Sequence, residues 1–265
     1  MYNKLYLLIG LFILLVSLIS CAKSEDSSTS SSSTSIFKAV GYSGTILSSP
    51  DGIAWTSSTW DSQNYGTSKN LSGITYGGST FVAVGWYSTI ISSSDGTTWT
   101  ENGQNLRSNW GDSQYFKAVT YRNKLFVLVG RNGKIMNSPD GITWKARKAG
   151  TTMNLMGVTY SPTCGKVEWK GLDAGLCKNG IFVSVGKGGK IITSFDGNWW
   201  VKRTFKGAGW IYAVTYGNGT FVTVGDNGVI ITSSDGISWT KRTSGDQPKT
   251  KIIVSVSNSG GDMQI

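Results

Sequence analysis

Five times along the chain a short apolar run gives way to a glycine, a polar tip, a second strand-like segment and the signature S-x-D-G-x-x-W. The runs open at Phe37, Phe81, Phe126, Phe182 and Phe221. The glycine closing each run is Gly41, Gly85, Gly130, Gly186 or Gly225, and it lies ten residues before Asp51, Asp95, Asp140, Asp196 or Asp235. Glycine follows every one of these aspartates, a serine stands two residues ahead of each, and Trp55, Trp99, Trp144, Trp200 and Trp239 stand four residues beyond. A pattern repeated this often at constant internal spacing decides the fold before any single residue does.

One copy reads as a β-meander. Phe81-Val82-Ala83-Val84 is apolar at every position, as a strand covered on both faces must be. A glycine-rich tip then leads into a second strand such as Gly133 to Met136. Asp-Gly predicts a type I′ hairpin with positive φ at both positions, and the tryptophan strand follows, its ring laid against the adjoining sheet. A further strand precedes four of the copies: Ile74-Thr75-Tyr76, Val119-Thr120-Tyr121, Val158-Thr159-Tyr160 and Val214-Thr215-Tyr216. The first copy has only a serine-rich stretch before it. From Trp144 to Val158 and from Trp200 to Val214 is 14 residues, and the same step from Trp239 reaches Ile253, within the β-rich run 251–256. The expectation is an all-β protein, a β-propeller of four-stranded antiparallel blades. It has five blades, with the C-terminal strand pairing onto the first and removing the exposed edges.

The ends place this body. Lys4 followed by the apolar stretch from Leu5 to Ile19 fits a targeting segment, being shorter than a spanning helix requires. Leu18-Ile19-Ser20-Cys21 resembles the lipobox of bacterial lipoproteins. That resemblance implies a signal peptide over 1–20, cleavage ahead of Cys21 and lipidation of its thiol, several acyl chains giving a stable anchor. Residues 24–35, almost all serine and threonine, cannot bury apolar area and read as a tether with a reach of roughly 20 Å. The expected domains are 1–20 signal peptide, 21–35 lipidated cysteine and tether, and 36–265 propeller, held by lipid at the cell envelope.

Departures from the repeat are where function can be grafted. The aspartates are 44, 45, 56 and 39 residues apart, and the excess in the longest interval lies between Tyr160 and Phe182. It carries Cys164 and Cys177, which in an exported chain read as a disulfide closing a short loop for about 3 kcal/mol. Zinc-like spacing and histidine are both absent, so no metal or cofactor is expected. The first two linkers between sheets are long and include Trp110. Together with the tips they form a variable face presenting Tyr42, Trp86, Tyr87, Arg131, Lys187 and Trp110. Two readings stay open: these rings stack on a glycan or protein ligand, or they pack locally beneath the long linkers. Gly186 to Lys190 looks superficially like a phosphate loop, but it is the ordinary hairpin tip of its copy and no helix follows.

Charge adds little at this stage. The net charge of +10 comes from basic residues spread over many copies without a long run, which reads as a solvated surface and gives no case for nucleic acid. The chain has no histidine, which removes the commonest general base. The S-x-D-G-x-x-W element resembles the Asp-box, or bacterial neuraminidase repeat, though it has one residue fewer between Asp and Gly. The resemblance covers nearly all of the span from Phe37 to Trp239 and implies a propeller sheet in which the five aspartates and five tryptophans are structural. Sialidases of that ancestry need an arginine triad, a tyrosine–glutamate pair and an acid aspartate. No paired carboxylates of the kind a glycosidase requires are nominated here. Relatives without catalysis include photosystem assembly factors and, more loosely, five-bladed tachylectins that bind amino sugars. The expected function is a non-catalytic binding or scaffold module displayed on the envelope, the alternative being a sialidase-like glycan hydrolase.

Overall fold

The computed structural model describes residues 20–23, 37–60, 69–103, 115–163, 180–203 and 205–242. They form five antiparallel sheets of four strands, each ordered as the chain runs. The first comprises β1 (Ser20–Lys23), β2 (Phe37–Val40), β3 (Thr45–Ser49) and β4 (Thr56–Thr59). The second comprises β5 (Leu71–Gly77), β6 (Thr80–Gly85), β7 (Ile90–Ser93) and β8 (Thr100–Glu101). The third holds β9 (Phe116–Arg122), β10 (Leu125–Gly130), β11 (Lys134–Ser138) and β12 (Lys145–Lys148). The fourth holds β13 (Leu155–Ser161), β14 (Ile181–Gly186), β15 (Lys190–Ser194) and β16 (Val201–Lys202). The fifth holds β17 (Ile211–Gly217), β18 (Thr220–Gly225), β19 (Ile230–Ser233) and β20 (Thr240–Arg242). The chain divides into two compact units, the first with sheets one and two and the second, from Phe116, with sheets three to five.

The strands are what the hydrophobic pattern asks for. Phe81, Val82, Ala83 and Val84 are all buried, and so are Phe126 to Val129. In sheets two to five, a tyrosine, a phenylalanine and the repeat tryptophan line up across the sheet. Tyr160–Phe182 and Phe182–Trp200 centroids are 4.8 and 6.5 Å apart, and Tyr216–Phe221 and Phe221–Trp239 are 4.7 and 6.0 Å apart. Apolar clusters join successive sheets within each unit: Val127 and Ile135 of the third meet Phe182 and Trp200 of the fourth. Polar ties run alongside them. The ammonium of Lys38, 1 % exposed, donates to Ser48 Oγ and to the Gly96 carbonyl of the next sheet, each at 2.6 Å. Asn137 Nδ2 likewise donates to the Gly197 carbonyl at 3.0 Å. Burial holds the Lys38 pKa below the usual lysine value, partly offset by the charge of Asp95.

The S-x-D-G-x-x-W turn is the same in all five sheets, but it is not the type I′ hairpin expected from Asp-Gly. Only the glycine takes positive φ, between 70 and 78°. The aspartate stays in ordinary backbone space because its Oδ1 must accept the N–H groups two and three residues on, as from Ile142 and Thr143 onto Asp140 at 2.8 and 2.7 Å. The serine hydroxyl donates to the same oxygen and accepts the glycine N–H at 2.8 Å. Positive φ calls for glycine in every copy, and at Gly197 an added Cβ would also crowd Leu125 Cδ2 of the preceding sheet at 2.5 Å, whereas at Gly52 it would meet nothing closer than 3.9 Å. The tryptophan indole N–H donates to the glycine carbonyl in four copies (3.1 Å for Trp144), whereas Trp99 Nε1 is buried with no partner among the described residues. Positive φ in pairs, the type I′ signature, occurs between the first two strands of their sheets at Gly78-Ser79, Asn123-Lys124 and Asn218-Gly219, and again at the five tips.

These bonds set an acid limit. All five aspartates are held below the usual carboxylate pKa. In Asp51 and Asp95 the leading cause is the pair of N–H donors just described. In Asp140, Asp196 and Asp235 partial burial is the largest single influence and pushes upward, but the N–H and hydroxyl bonds together outweigh it, leaving Asp140 at about 2. A depressed folded-state pKa means the unfolded chain binds more protons in acid. The stabilisation is therefore complete above pH ~4 and is lost as pH falls through the folded values. The urea midpoint should stay level from neutrality to pH ~5 and drop below pH ~4; a midpoint unchanged down to pH ~2 would contradict this account of the turns.

The first sheet does have a fourth strand, but it comes from the N-terminal side. Ser20–Lys23 pairs antiparallel with Phe37–Val40, Cys21 standing opposite Ala39. That edge of β2 offers unpaired N–H and C=O groups, and any segment able to extend along it satisfies them. The run 251–256, to which the spacing assigns this place, lies outside the described residues. The strand also takes in residues read from sequence as the end of the signal peptide and the start of the tether.

Candidate functional site

Tips and linkers are fastened together by a construction that explains the first glycine of the repeat. In the second, fourth and fifth sheets the carbonyl of Asn70, Asn154 or Trp210, just ahead of the inner strand, accepts the N–H that follows Gly85, Gly186 or Gly225, at 2.8 to 2.9 Å. A Cβ on those glycines would lie 2.0 to 2.1 Å from the same carbonyl oxygens. Asparagine side chains add a second bond to the neighbouring tip, Ser43 N–H to Asn70 Oδ1 at 2.9 Å and Asn132 N–H to Asn154 Oδ1 at 3.0 Å. The variable face is thus a framework of backbone from which the non-repeated side chains project.

In the first unit that framework gathers four rings. Tyr42 from the first tip meets Trp86 edge-on at 6.4 Å, and Trp86 meets Tyr115 at 5.1 Å and 74°. Tyr87 lies 5.5 Å from Tyr115, and Trp86 and Tyr115 form an isolated backbone bridge. Tyr42 and Tyr87 remain exposed. Three of the rings that the sequence points to, Tyr42, Trp86 and Tyr87, therefore come together; Tyr115, which sits outside the repeat at the end of a long linker and carries no repeat signal, joins them.

The second tip is also built differently from the rest. Elsewhere the left-handed pair is Ser43-Gly44, Asn132-Gly133, Gly188-Gly189 or Asn227-Gly228; here Tyr87 and Ser88 hold φ of 57 and 58°. Two side chains other than glycine or asparagine in succession are strained there. The compensating glycine has moved to the linker. A Cβ on Gly103 would lie 2.3 Å from the Ser88 carbonyl, whereas in the third sheet it is the tip glycine, Gly133, that is pressed against Thr151 O. The hydroxyls of Ser88 and Thr89 are buried and have no hydrogen-bond partner among the described residues. Backbone strain and unpaired hydroxyls thus concentrate under the exposed rings.

The second unit carries a separate group. Trp210 and Tyr212 stack at 6.0 Å and 15°, and the Lys187 ammonium lies 5.3 Å from the centre of the Trp210 ring. Asp226, in the fifth tip, accepts the Trp210 N–H at 2.6 Å and the Tyr212 hydroxyl at 2.8 Å. Burial first, and then the Asp226 bond and charge, push the Tyr212 pKa up to about 12. Arg131 projects from the third tip and adds its charge to the burial that lowers the pKa of Lys117. Among the described residues no group of three or more histidine, cysteine, aspartate or glutamate side chains is placed to hold a metal. Trp110, Cys164 and Cys177 lie outside the described residues.

No family model and no curated protein matches the chain. Solved structures do. A structure described as YCF48 bound to D1 peptide aligns over 91 % of this chain and 68 % of its own, with 14 % identity and a TM-score of 0.59. YCF48 from Cyanidioschyzon merolae aligns over 86 % and 72 %, with 15 % identity and a TM-score of 0.56. The computationally designed Ika8 protein aligns over 88 % and 63 %, with 13 % identity and a TM-score of 0.54. At these identities the likeness concerns the fold, which is a β-propeller with five four-stranded antiparallel sheets.

Proposed function

We propose that the protein is a non-catalytic module that binds a protein partner through the aromatic group of its first two tips, displayed at the cell envelope by lipid on Cys21. The observation that carries this reading is the gathering of Tyr42, Trp86, Tyr87 and Tyr115 on a strained tip, with two of the rings exposed. Rigid tyrosine and tryptophan side chains supply large contact area at small entropic cost, which is why they anchor protein interfaces. A propeller of the same fold has been seen with a peptide bound. The five tips themselves contain one carboxylate, Asp226, and both of its oxygens are engaged by Trp210 and Tyr212. The Asp-box relationship remains part of this proposal, as a structural ancestry and not a catalytic one. Cleavage ahead of Cys21 leaves three of the four pairings of β1 intact, so display by lipid and the first sheet are compatible.

The test is photo-crosslinking from a residue beside Tyr87 in cells bearing the tagged chain, with an alkyne fatty acid supplied to report lipidation. A discrete protein adduct is expected, reduced at least tenfold by Trp86→Ala, in keeping with the loss of an interface anchor. Lipid label should appear on the wild type and vanish in Cys21→Ser. Absence of any protein adduct, or one indifferent to Trp86→Ala, would defeat the binding reading; label persisting in Cys21→Ser would defeat the anchor.

A further inference from the structure

The basic residues that look scattered in the sequence are sorted by the fold. Among the described residues from Phe37 to Tyr115, two lysines face three acidic side chains; from Phe116 to Arg242, fifteen lysines and arginines face four aspartates. Much of the excess lies on the outermost strands of sheets three to five. β12 reads Lys-Ala-Arg-Lys, β16 is Val201-Lys202 and runs on into Arg203, and β20 reads Thr-Lys-Arg. The outermost strands of the first unit, Thr56–Thr59 and Thr100–Glu101, carry no basic residue.

The arginines occupy one position. Arg147 Nε donates to Asn137 Oδ1, Arg203 Nε to Thr193 Oγ1 and Arg242 Nε to Thr232 Oγ1, at 3.0, 3.3 and 2.8 Å, each reaching ten residues back onto the adjoining strand. Neighbouring sheets come close here: Lys202 Cε of the fourth would lie 3.5 Å from a Cβ placed on Gly150 beyond β12. The turns that precede these strands carry Asp140, Asp196 and Asp235, and the charge of Asp235 acts on Arg203. Each accepts two backbone N–H groups, as Asp196 does from Asn198 and Trp199.

Apolar groups stand on this rim. Trp199 is 80 % exposed, although the next residue, Trp200, is buried, and Val201 and Ile142 are exposed as well. Apolar surface of this size held in water forgoes the free energy that burial would return. A polyanion in solution would be met by charge alone. A membrane surface meets both features, because indole rings settle at the headgroup level beside lysine and arginine. We propose that the outer strands of sheets three to five, with Trp199 as an inserted ring, form a docking surface for an anionic lipid bilayer. The surface is separate from the aromatic tips and does not depend on lipid at Cys21.

The full chain should be partitioned onto vesicles of phosphatidylcholine alone and of an equal mixture with phosphatidylglycerol. The ratio between the two cancels whatever the rest of the chain contributes equally to both. A clear preference for the anionic vesicles is expected, weakening with salt. The triple variant Lys148→Gln, Lys202→Gln, Lys241→Gln should lower the ratio by roughly a hundredfold, at about fivefold per lysine. The charge-matched variant Lys124→Gln, Lys190→Gln, Lys206→Gln should leave it within a few-fold. Brominated lipid should quench part of the tryptophan fluorescence in the wild type and less of it in Trp199→Ser. Equal losses in both triple variants would reduce the effect to net charge and overturn the rim. So would quenching unchanged in Trp199→Ser, or capture by a soluble acidic polysaccharide without any vesicle preference.

Discussion

Trp200→Ala should lower the unfolding free energy by about 3–5 kcal/mol, the range for deleting a large buried ring, whereas Trp55→Ala should cost no more than about 1.5 kcal/mol. Both residues end the same S-x-D-G-x-x-W element and both donate their indole N–H to the glycine carbonyl, at 3.3 and 3.1 Å. They differ in what surrounds the ring. Trp200 is 9 % exposed and packs among Val127, Val129, Leu155 and Phe182, joining two sheets. Trp55 is 40 % exposed, so most of what alanine removes is already in contact with water. Urea titrations of the two variants measure the difference directly. Equal losses would mean that the repeat element stabilises its own sheet locally and that contact with the neighbouring sheet adds little.

A second pair separates steric from conformational demands on glycine. Gly186→Ala should destabilise by about 3 kcal/mol or more, at or beyond the upper end of the overpacking range. Its Cβ would fall 2.0 Å from the Asn154 carbonyl and 2.9 Å from Leu155 Cα, and neither is a side-chain end that can swing away. The hydrogen bond from Lys187 N–H to that carbonyl, 2.9 Å, would be lost as the linker moved. Gly41 fills the same place in the first copy, with extended φ of −159° and, among the described residues, nothing within 4 Å of the point where a Cβ would stand. Gly41→Ala should therefore be neutral within about 0.5 kcal/mol, or slightly stabilising through the unfolded chain. A large loss at Gly41 would show that the requirement for glycine is something other than the approach of the linker carbonyl.

Much of the fold was legible because its signals are local and recur. Strand runs such as Phe81–Val84 announce their burial by composition, and five Asp-Gly pairs at constant distance from glycine and tryptophan fix the number of sheets. The same residues misled where a pair or a spacing was read without its partners. Asp-Gly suggests a type I′ hairpin from two residues alone, but the aspartate is committed to N–H groups further along, which leaves positive φ to glycine. Spacing nominated 251–256 for the open edge of the first sheet, yet Ser20–Lys23 occupies it, because a bare strand edge specifies hydrogen bonds and not which segment makes them. The candidate site was legible in part. Tyr42, Trp86 and Tyr87 stand out against the glycine-rich tips of the other copies, but nothing in the sequence marks Tyr115 as their neighbour.

The sequence by itself determined the strands, the turns' donors and acceptors and the number of sheets, since each depends on residues within about ten positions of one another. Tertiary structure alone decided which rings meet, where strain is held in the second tip, and that three arginines take the same place on successive outer strands. Those properties depend on which sheets lie side by side, and repeats separated by 39 to 56 residues become neighbours only after the chain has folded.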